Sequence, residues 1–204
     1  MINNVLSIDL DSMYNCHTYA PYMNYDIDAE DAWKFIYHLE ETKKYKIDTK
    51  IDFRAVSKVI EILNNKCSNA VVKIIDEHDE IIGVIENFDC KECNMYNIDY
   101  HHDITYGNDD SELNLENWVR HGKARRLIGK YHWICRPLSD IRVDSPFQYN
   151  RDILEDVKTE LLPEIDLVVL CISHQFTPVK TYKALLNTLL SYTNGGTKWE
   201  SAEE

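Results

Sequence analysis

One segment of alternating carboxylate and imidazole side chains has the spacing of a metal site. Asp99, His101 and Asp103 directly follow the apolar run Met95–Ile98, which predicts a buried strand. In extended chain, side chains at positions i, i+2 and i+4 point the same way, so these three can converge on one point. Carboxylates that pack together without a cation repel and raise one another's pKa, so a divalent ion would stabilise the arrangement.

A second acidic pair lies near the amino terminus. The apolar run 5–10 predicts a strand that ends in Asp9, Leu10 and Asp11. Oxygen ligands with one imidazole suit Mn²⁺ or Fe²⁺, with Zn²⁺ as a further candidate, whereas Ca²⁺ and Mg²⁺ seldom take histidine. The sequence therefore predicts that both segments share a centre for one or two ions, Mn²⁺ being the expected metal. Strand-end carboxylates also cap helices and fill turns, which is the alternative interpretation of Asp9 and Asp11.

The elements that would position these residues alternate between strands and helices. Apolar residues recur at helical spacing after Asp28 and Asp52, and the clearest helix follows Thr177. Apolar strands are predicted on both sides of these helices, and the last of them runs over 167–173. This alternation predicts an α/β fold, namely a three-layer α/β/α sandwich with a mostly parallel sheet. Ligands of such sheets gather at the carboxyl ends of the strands.

The middle of the chain is harder to assign. The runs 70–75 and 81–85 are rich in β-branched residues and predict two strands joined by an exposed acidic turn at 76–80. Residues 115–130 are predicted to form a helix that ends near Gly129.

Composition limits the class of protein. The 204 residues are expected to form a single domain over 1–204, with a flexible tail at 197–204. A net charge of −13 argues against nucleic acid as a partner, and no apolar run approaches the length of a membrane span. The first residues do not read as a signal peptide, so a cytoplasmic protein whose six cysteines are reduced is expected.

Three segments together resemble a known enzyme superfamily. Ser7–Asp11 is similar to the Ser-x-Asp-x-Asp motif of the arginase/deacetylase (ureohydrolase) superfamily, and Asp99–Asp103 is similar to its Asp-x-His-x-Asp motif. With Ser173–Pro178, the likeness is greatest to an arginase-like family that includes peptide arginases. The two metal motifs occur in the opposite order along this chain, as a circular permutation would produce. The resemblance implies the arginase/deacetylase-like fold and metal-dependent hydrolysis of C–N bonds.

The resemblance also implies a role for each matching residue. Asp9 and Asp99 would bridge two metals, and His101 and Asp11 would complete one of the two sites. Asp103 would bind the other metal and accept a hydrogen bond from the attacking water. His174, just past the last strand, is a candidate proton shuttle on chemical grounds, and capping of the following helix is the alternative interpretation of this residue.

The chain departs from the family pattern at two positions that bear on function. The family places a histidine ligand on an earlier strand, and the best match here, 84–89, contains none; Glu86, Asn87 or Asp89 is therefore the expected substitute. Without one, Asp9, Asp99 and His101 would form a single-metal site. Gln175 replaces an acidic residue of the family, which bears on whether a guanidinium is bound. Gln175 and His102 are the expected contacts to a small-molecule or peptide substrate.

Two other functions compete with a C–N hydrolase. The segment Val5–Met13 also resembles the first motif of haloacid-dehalogenase-type phosphatases, in which Asp9 would be the nucleophile and Asp109–Asp110 the distant acidic pair. That interpretation gives no role to Asp99–Asp103. The third hypothesis is a non-catalytic metal-binding relative that retains the fold and has lost turnover.

Overall fold

The structure is a computed structural model that describes residues 2–23, 26–104, 112–137, 139 and 148–193. The strands of this part of the chain are β1 (Asn4–Asp9), β2 (Val71–Ile75), β3 (Cys93–Ile98), β4 (Ile128–Cys135), β5 (Asn150–Ile153) and β6 (Leu167–Cys171). Its α-helices are α1 (Ala29–Thr42), α2 (Phe53–Lys66), α3 (Ile81–Asn87), α4 (Trp118–Ala124) and α5 (Tyr182–Tyr192).

The strands form one sheet in the order β2-β6-β1-β3-β4-β5, and every pair of neighbours is parallel. The central strand β1 therefore lies between β6 and β3. Their registers place Ile8 beside Ile98 on one side and Asp9 beside Cys171 on the other. The acidic ends of β1 and β3 thus meet at the same edge of the sheet.

Helices cover both faces of this sheet, which confirms the predicted α/β/α sandwich. Apolar residues of α1, α2 and α5 pack on the face that carries Leu6 and Ile8. Residues of α3 and α4 pack on the opposite face, with Val5 and Met95. Because side chains alternate along a strand, Ser7 and Asp9 share the face of Val5 and point toward the α3 and α4 side.

The prediction of a strand at 81–85 is wrong, because these residues begin helix α3. Ile81, Ile82 and Ile85 are buried on one side of that helix, and a short run of apolar residues fits either structure until its packing is known. The predicted exposed turn at 76–80 is also wrong. It contains a 3-10 helix, His78–Glu80, whose first residue is buried.

The predicted helix at 115–130 is much shorter than expected, since α4 ends at Ala124 and β4 begins at Ile128. Gly129 lies in β4, where a Cβ atom would come within 2.5 Å of the carbonyl oxygen of Glu92. The close approach of two backbones, and not the end of a helix, therefore accounts for this glycine.

The helix expected after Thr177 begins at Tyr182, following a non-helical turn. No helix of the described part of the chain is both long enough and apolar enough to cross a membrane. All six cysteines are buried free thiols. The tail at 197–204 and Asp109–Asp110 lie outside the described residues.

Candidate metal centre

The carboxyl ends of β1, β3 and β6 converge at one edge of the sheet. Asp9 ends β1, Asp99 follows β3, and Ser173 lies two residues after β6. All three side chains are buried. The five acidic and histidine residues predicted from the two motifs lie together here, and a second histidine joins them.

That second histidine is His78, from the segment that was predicted to be an exposed turn. Its side chain is 3% exposed, and its Nδ1 atom faces three carboxylates. Nδ1 lies 3.0 Å from Asp99 Oδ2, 3.0 Å from Asp103 Oδ2 and 3.3 Å from Asp9 Oδ2. The single proton that this nitrogen can carry cannot bond well to three oxygens at once. Three carboxylate oxygens this close to one imidazole nitrogen are instead typical of ligands that surround a cation. We call these four residues the His78 half of the centre.

The position of His78 depends on the segment that follows β2. Reciprocal bonds between Glu77 and Glu80 cap the 3-10 helix that begins at His78, and this fixes the turn just past the end of the strand. Ser7 Oγ lies 2.8 Å from His78 Nε2 and shares a hydrogen bond with it. The Trp118 ring packs beside the imidazole at a centroid distance of 4.9 Å. His78 is thus held on two sides.

The other half of the centre is built around His101. Its Nδ1 lies 3.2 Å from Asp11 Oδ2 and 3.7 Å from Asp99 Oδ1. The two oxygens of Asp99 therefore face different histidines, Oδ2 toward His78 and Oδ1 toward His101. A carboxylate in this orientation can bridge two ions. We call Asp11, Asp99 and His101 the His101 half.

Backbone amides fix the orientation of both central carboxylates. Asp9 Oδ1 accepts a hydrogen bond from the Asp11 N–H at 3.0 Å, and Asp99 Oδ1 accepts one from the His101 N–H at 2.8 Å. Ser173 Oγ donates to Asp9 Oδ2 at 2.5 Å. The spacing of the motifs explains the two backbone hydrogen bonds, because in each case the amide lies two residues after the carboxylate that it contacts.

Buried carboxylates and two histidines shift one another's pKa values at this site. Burial, then the repulsion of Asp9 and Asp99, raises the pKa of Asp11 well above its usual value. Burial and Asp99 raise the pKa of Asp103 to about 7. Burial would lower the pKa of His101, but bonding to Asp11 and Asp99 outweighs it and raises the pKa. The buried carboxylates therefore repel one another, and a bound divalent ion would remove this electrostatic cost.

The donor set fits such an ion. Asp11 is completely buried, yet its Oδ1 atom accepts no hydrogen bond from any residue in the described ranges. Buried carboxylate oxygens rarely lack a partner, so this atom is suited to bind a cation. Within the described ranges, three groups of side chains could hold a metal ion. One is Asp9, His78 and Cys171, the second is Asp11, Asp99 and His101, and the third is His78, Asp99 and Asp103.

A cavity of about 450 Å³ opens onto the centre. Asp9, His78, His101 and Asp103 form part of its lining. The rest of the described lining consists of Glu77, Asn114, Leu115, Glu116, Ser173, Gln175 and Phe176. This volume lies in the range of small-molecule sites, so a substrate could reach the candidate ions.

The other predicted site residues differ in whether they line the cavity. Gln175 lines the cavity, as expected for a substrate contact. His102 is fully buried, with its Nδ1 accepting the Ile104 N–H at 3.1 Å, and is not among the described lining residues. His174 is also outside that lining, and its Nε2 lies 3.3 Å from Asp76 Oδ1. Its role as a proton shuttle stays a prediction.

The substitutes proposed for the missing histidine ligand do not belong to any of the candidate metal groups among the described residues. Glu86 and Asn87 lie at the end of α3, and Asp89 follows that helix with a positive φ of 51°. Glu86 pairs with Arg125 at 3.1 Å. The histidine that does belong to candidate metal groups is His78, eight residues earlier than Glu86. Its signal in the sequence was a histidine within three residues of the end of an apolar strand.

Comparison of the chain with protein-family models, with curated proteins and with solved structures gives no match. What the fold and the site define is therefore a class only, namely an α/β protein with a parallel sheet and a buried cluster of aspartate and histidine that could hold metal.

Proposed function

We propose that the protein is a metal-dependent hydrolase of C–N bonds, related in mechanism to the arginases and deacetylases, with Mn²⁺ as its metal. The observation that carries this proposal is the pair of histidine-carboxylate halves that share Asp99 beside an open cavity. Such a pair is what two ions acting on one water require. Fe²⁺ and Zn²⁺ are the alternative metals, since both accept imidazole and carboxylate together.

Each half has its own ligands in this proposal. His78, Asp9, Asp99 and Asp103 would hold one ion, and His101, Asp11 and Asp99 the other. The superfamily resemblance implies that Asp9 would contact both ions. Binding through Nδ1 leaves the Nε2 proton of His78 to be donated to Ser7, which fixes the tautomer and the ring. Bound divalent ions would supply Lewis-acid activation of a water molecule at neutral pH.

Asp103 is the residue best placed to handle the proton of that water. It lines the cavity, and its Oδ2 atom is occupied by the Trp118 indole and by the contact to His78. The Oδ1 atom is therefore the one that would accept the proton. In the proposed reaction Gln175 and Phe176, which line the cavity, would contact the group that carries the C–N bond.

The arrangement of Asp9 argues against the phosphatase alternative. Its Oδ1 atom accepts the Asp11 N–H, and its Oδ2 atom accepts the Ser173 hydroxyl and faces His78. A nucleophilic carboxylate needs an oxygen directed at the substrate, whereas both oxygens here are engaged within the cluster. A phosphatase mechanism with Asp9 as the nucleophile also gives His101 no function.

The test is an assay of the Mn²⁺-loaded protein for release of urea, ammonia, amine or acid from guanidino compounds, peptides and acylated amines. We expect one of these substrates to be hydrolysed, with metal required. Asp103→Asn is expected to lower kcat by about 100- to 10,000-fold, the range for loss of a general acid-base group. The matched control is Asp152→Asn, on β5, which is expected to keep full activity.

Two results would contradict this proposal. Phosphatase activity that needs Mg²⁺ and Asp9 and survives His101→Ala would favour the haloacid-dehalogenase mechanism. Tight binding of metal without hydrolysis of any substrate class would favour the non-catalytic relative.

A further inference from the structure

Trp118 connects two candidate ligands of the His78 half to helix α4. This residue begins α4 and is completely buried. Its indole Nε1–H donates a hydrogen bond of 2.7 Å to Asp103 Oδ2, the same oxygen that lies 3.0 Å from His78 Nδ1. Its ring also packs against the His78 imidazole. One side chain therefore touches two ligands of the His78 half.

The backbone of the same helix holds Asp103 a second time. Asp103 has a positive φ of 50°, a conformation that is uncommon for residues other than glycine. Its carbonyl oxygen accepts the N–H of Val119 at 3.2 Å. The start of α4 thus binds both the carbonyl and the carboxylate of Asp103, which fixes its unfavourable backbone conformation and the direction of its side chain together.

The segment just before Trp118 forms part of the cavity wall. Asn114, Leu115 and Glu116 line the cavity. Asn117 braces this segment, since its Oδ1 accepts the Asn114 N–H at 2.9 Å and its Nδ2 donates to the Glu112 carbonyl at 2.8 Å. The wall is therefore one braced turn, and Trp118 is its connection to the ligand cluster.

We propose that Trp118 is a positioning residue that directs Asp103 toward the ion of the His78 half and couples that ion to the cavity wall at Asn114–Glu116. Removing the indole N–H weakens binding in that half only, because the described partners of Asp11 and His101 do not include Trp118. The inference depends on the metal centre of the proposed function but not on hydrolysis.

The test is calorimetric titration of the metal-free protein with Mn²⁺. Trp118→Phe keeps an aromatic ring beside His78 and deletes the donor. We expect this variant to bind one of the two Mn²⁺ ions about 10- to 100-fold more weakly, since this is the usual effect of losing a hydrogen bond to a metal ligand. The affinity for the other ion is expected to stay unchanged. The matched control is Trp33→Phe, which also deletes a buried indole donor, here to the His174 carbonyl, and is expected to bind both ions normally.

A double-mutant cycle separates positioning from general stability. In an Asp103→Ala background the indole has no carboxylate to direct, so Trp118→Phe is expected to cause no further loss of Mn²⁺ affinity. Equal losses in both backgrounds would overturn the proposal, as would wild-type affinity in Trp118→Phe. Should the phenylalanine variant not fold, Trp118→Tyr replaces it in the same cycle.

The wild-type titration distinguishes this inference from the function on which it rests. A wild-type protein that binds no Mn²⁺ overturns both. A protein that binds two ions, loses one selectively in Trp118→Phe and hydrolyses nothing supports the role of Trp118 and contradicts the proposed function.

Discussion

Replacing Asp99 with alanine is expected to lower Mn²⁺ affinity in both halves of the centre by more than about 100-fold, because altering outer hydrogen bonds alone costs about 10- to 100-fold. Asp99 is a candidate ligand whose two oxygens face the two histidines, at 3.0 Å from His78 Nδ1 and 3.7 Å from His101 Nδ1. Its loss therefore removes an oxygen from each ion at once. The measurement is the metal content per chain after Mn²⁺ loading without oxygen and gel filtration.

Asp166→Ala is the matched control for this variant. It removes the same charge at the opposite edge of the sheet, where the Asp166 carboxylate accepts the N–H groups of Asn3 and Asn4. It is expected to bind as much metal as the wild type. If Asp99→Ala retained the wild-type metal content, the two halves could not share this carboxylate.

Replacing His78 with alanine is expected to remove one ion and leave the other, so the content falls from about two ions per chain to about one. His78 contributes the only nitrogen of its half among the described residues, and its Nδ1 lies within 3.3 Å of Asp9, Asp99 and Asp103. The His101 half contains its own nitrogen and Asp11. The proposed mechanism requires both ions, so hydrolysis is expected to be lost when the ion of the His78 half is lost.

The control for His78→Ala is His132→Ala. His132 lies on β4, stacks on Tyr96 and bonds to Asn150, and it takes no part in the metal groups of the described residues. Both ions are expected to remain in this variant. A His78→Ala protein that folds and still binds two ions would exclude His78 as a ligand, and the centre would then be the single-metal site of Asp9, Asp99 and His101.

The residues on strand ends could be predicted because their geometry is local. Asp99, His101 and Asp103 alternate after an apolar strand, so their convergence follows from the period of extended chain. The position of Asp9 beside them required a further step, namely that β1 and β3 are parallel neighbours. The prediction made that step because ligands of parallel sheets gather at the carboxyl ends of strands, and the sheet order places β1 beside β3.

His78 could not be assigned in the same way, because its burial depends on distant parts of the chain. In the sequence it lies in an acidic run, which is typical of an exposed turn. In the structure Ser7 and Trp118 hold the ring, and neither is near it in sequence. The strand β5, with exposed polar residues such as Arg151 and Asp152, lacks the apolar pattern that identifies strands. Tertiary contacts decide both cases.

The most direct test of the account is a crystal structure of the Mn²⁺-loaded protein with anomalous scattering data. We predict two peaks, about 3.5–4 Å apart, one beside His78 Nδ1 and the other beside His101 Nδ1, with the Asp99 carboxylate between them. A map with no peak among these carboxylates at full Mn²⁺ loading, or with peaks only elsewhere on the protein, would contradict the assignment of a metal centre to this edge of the sheet.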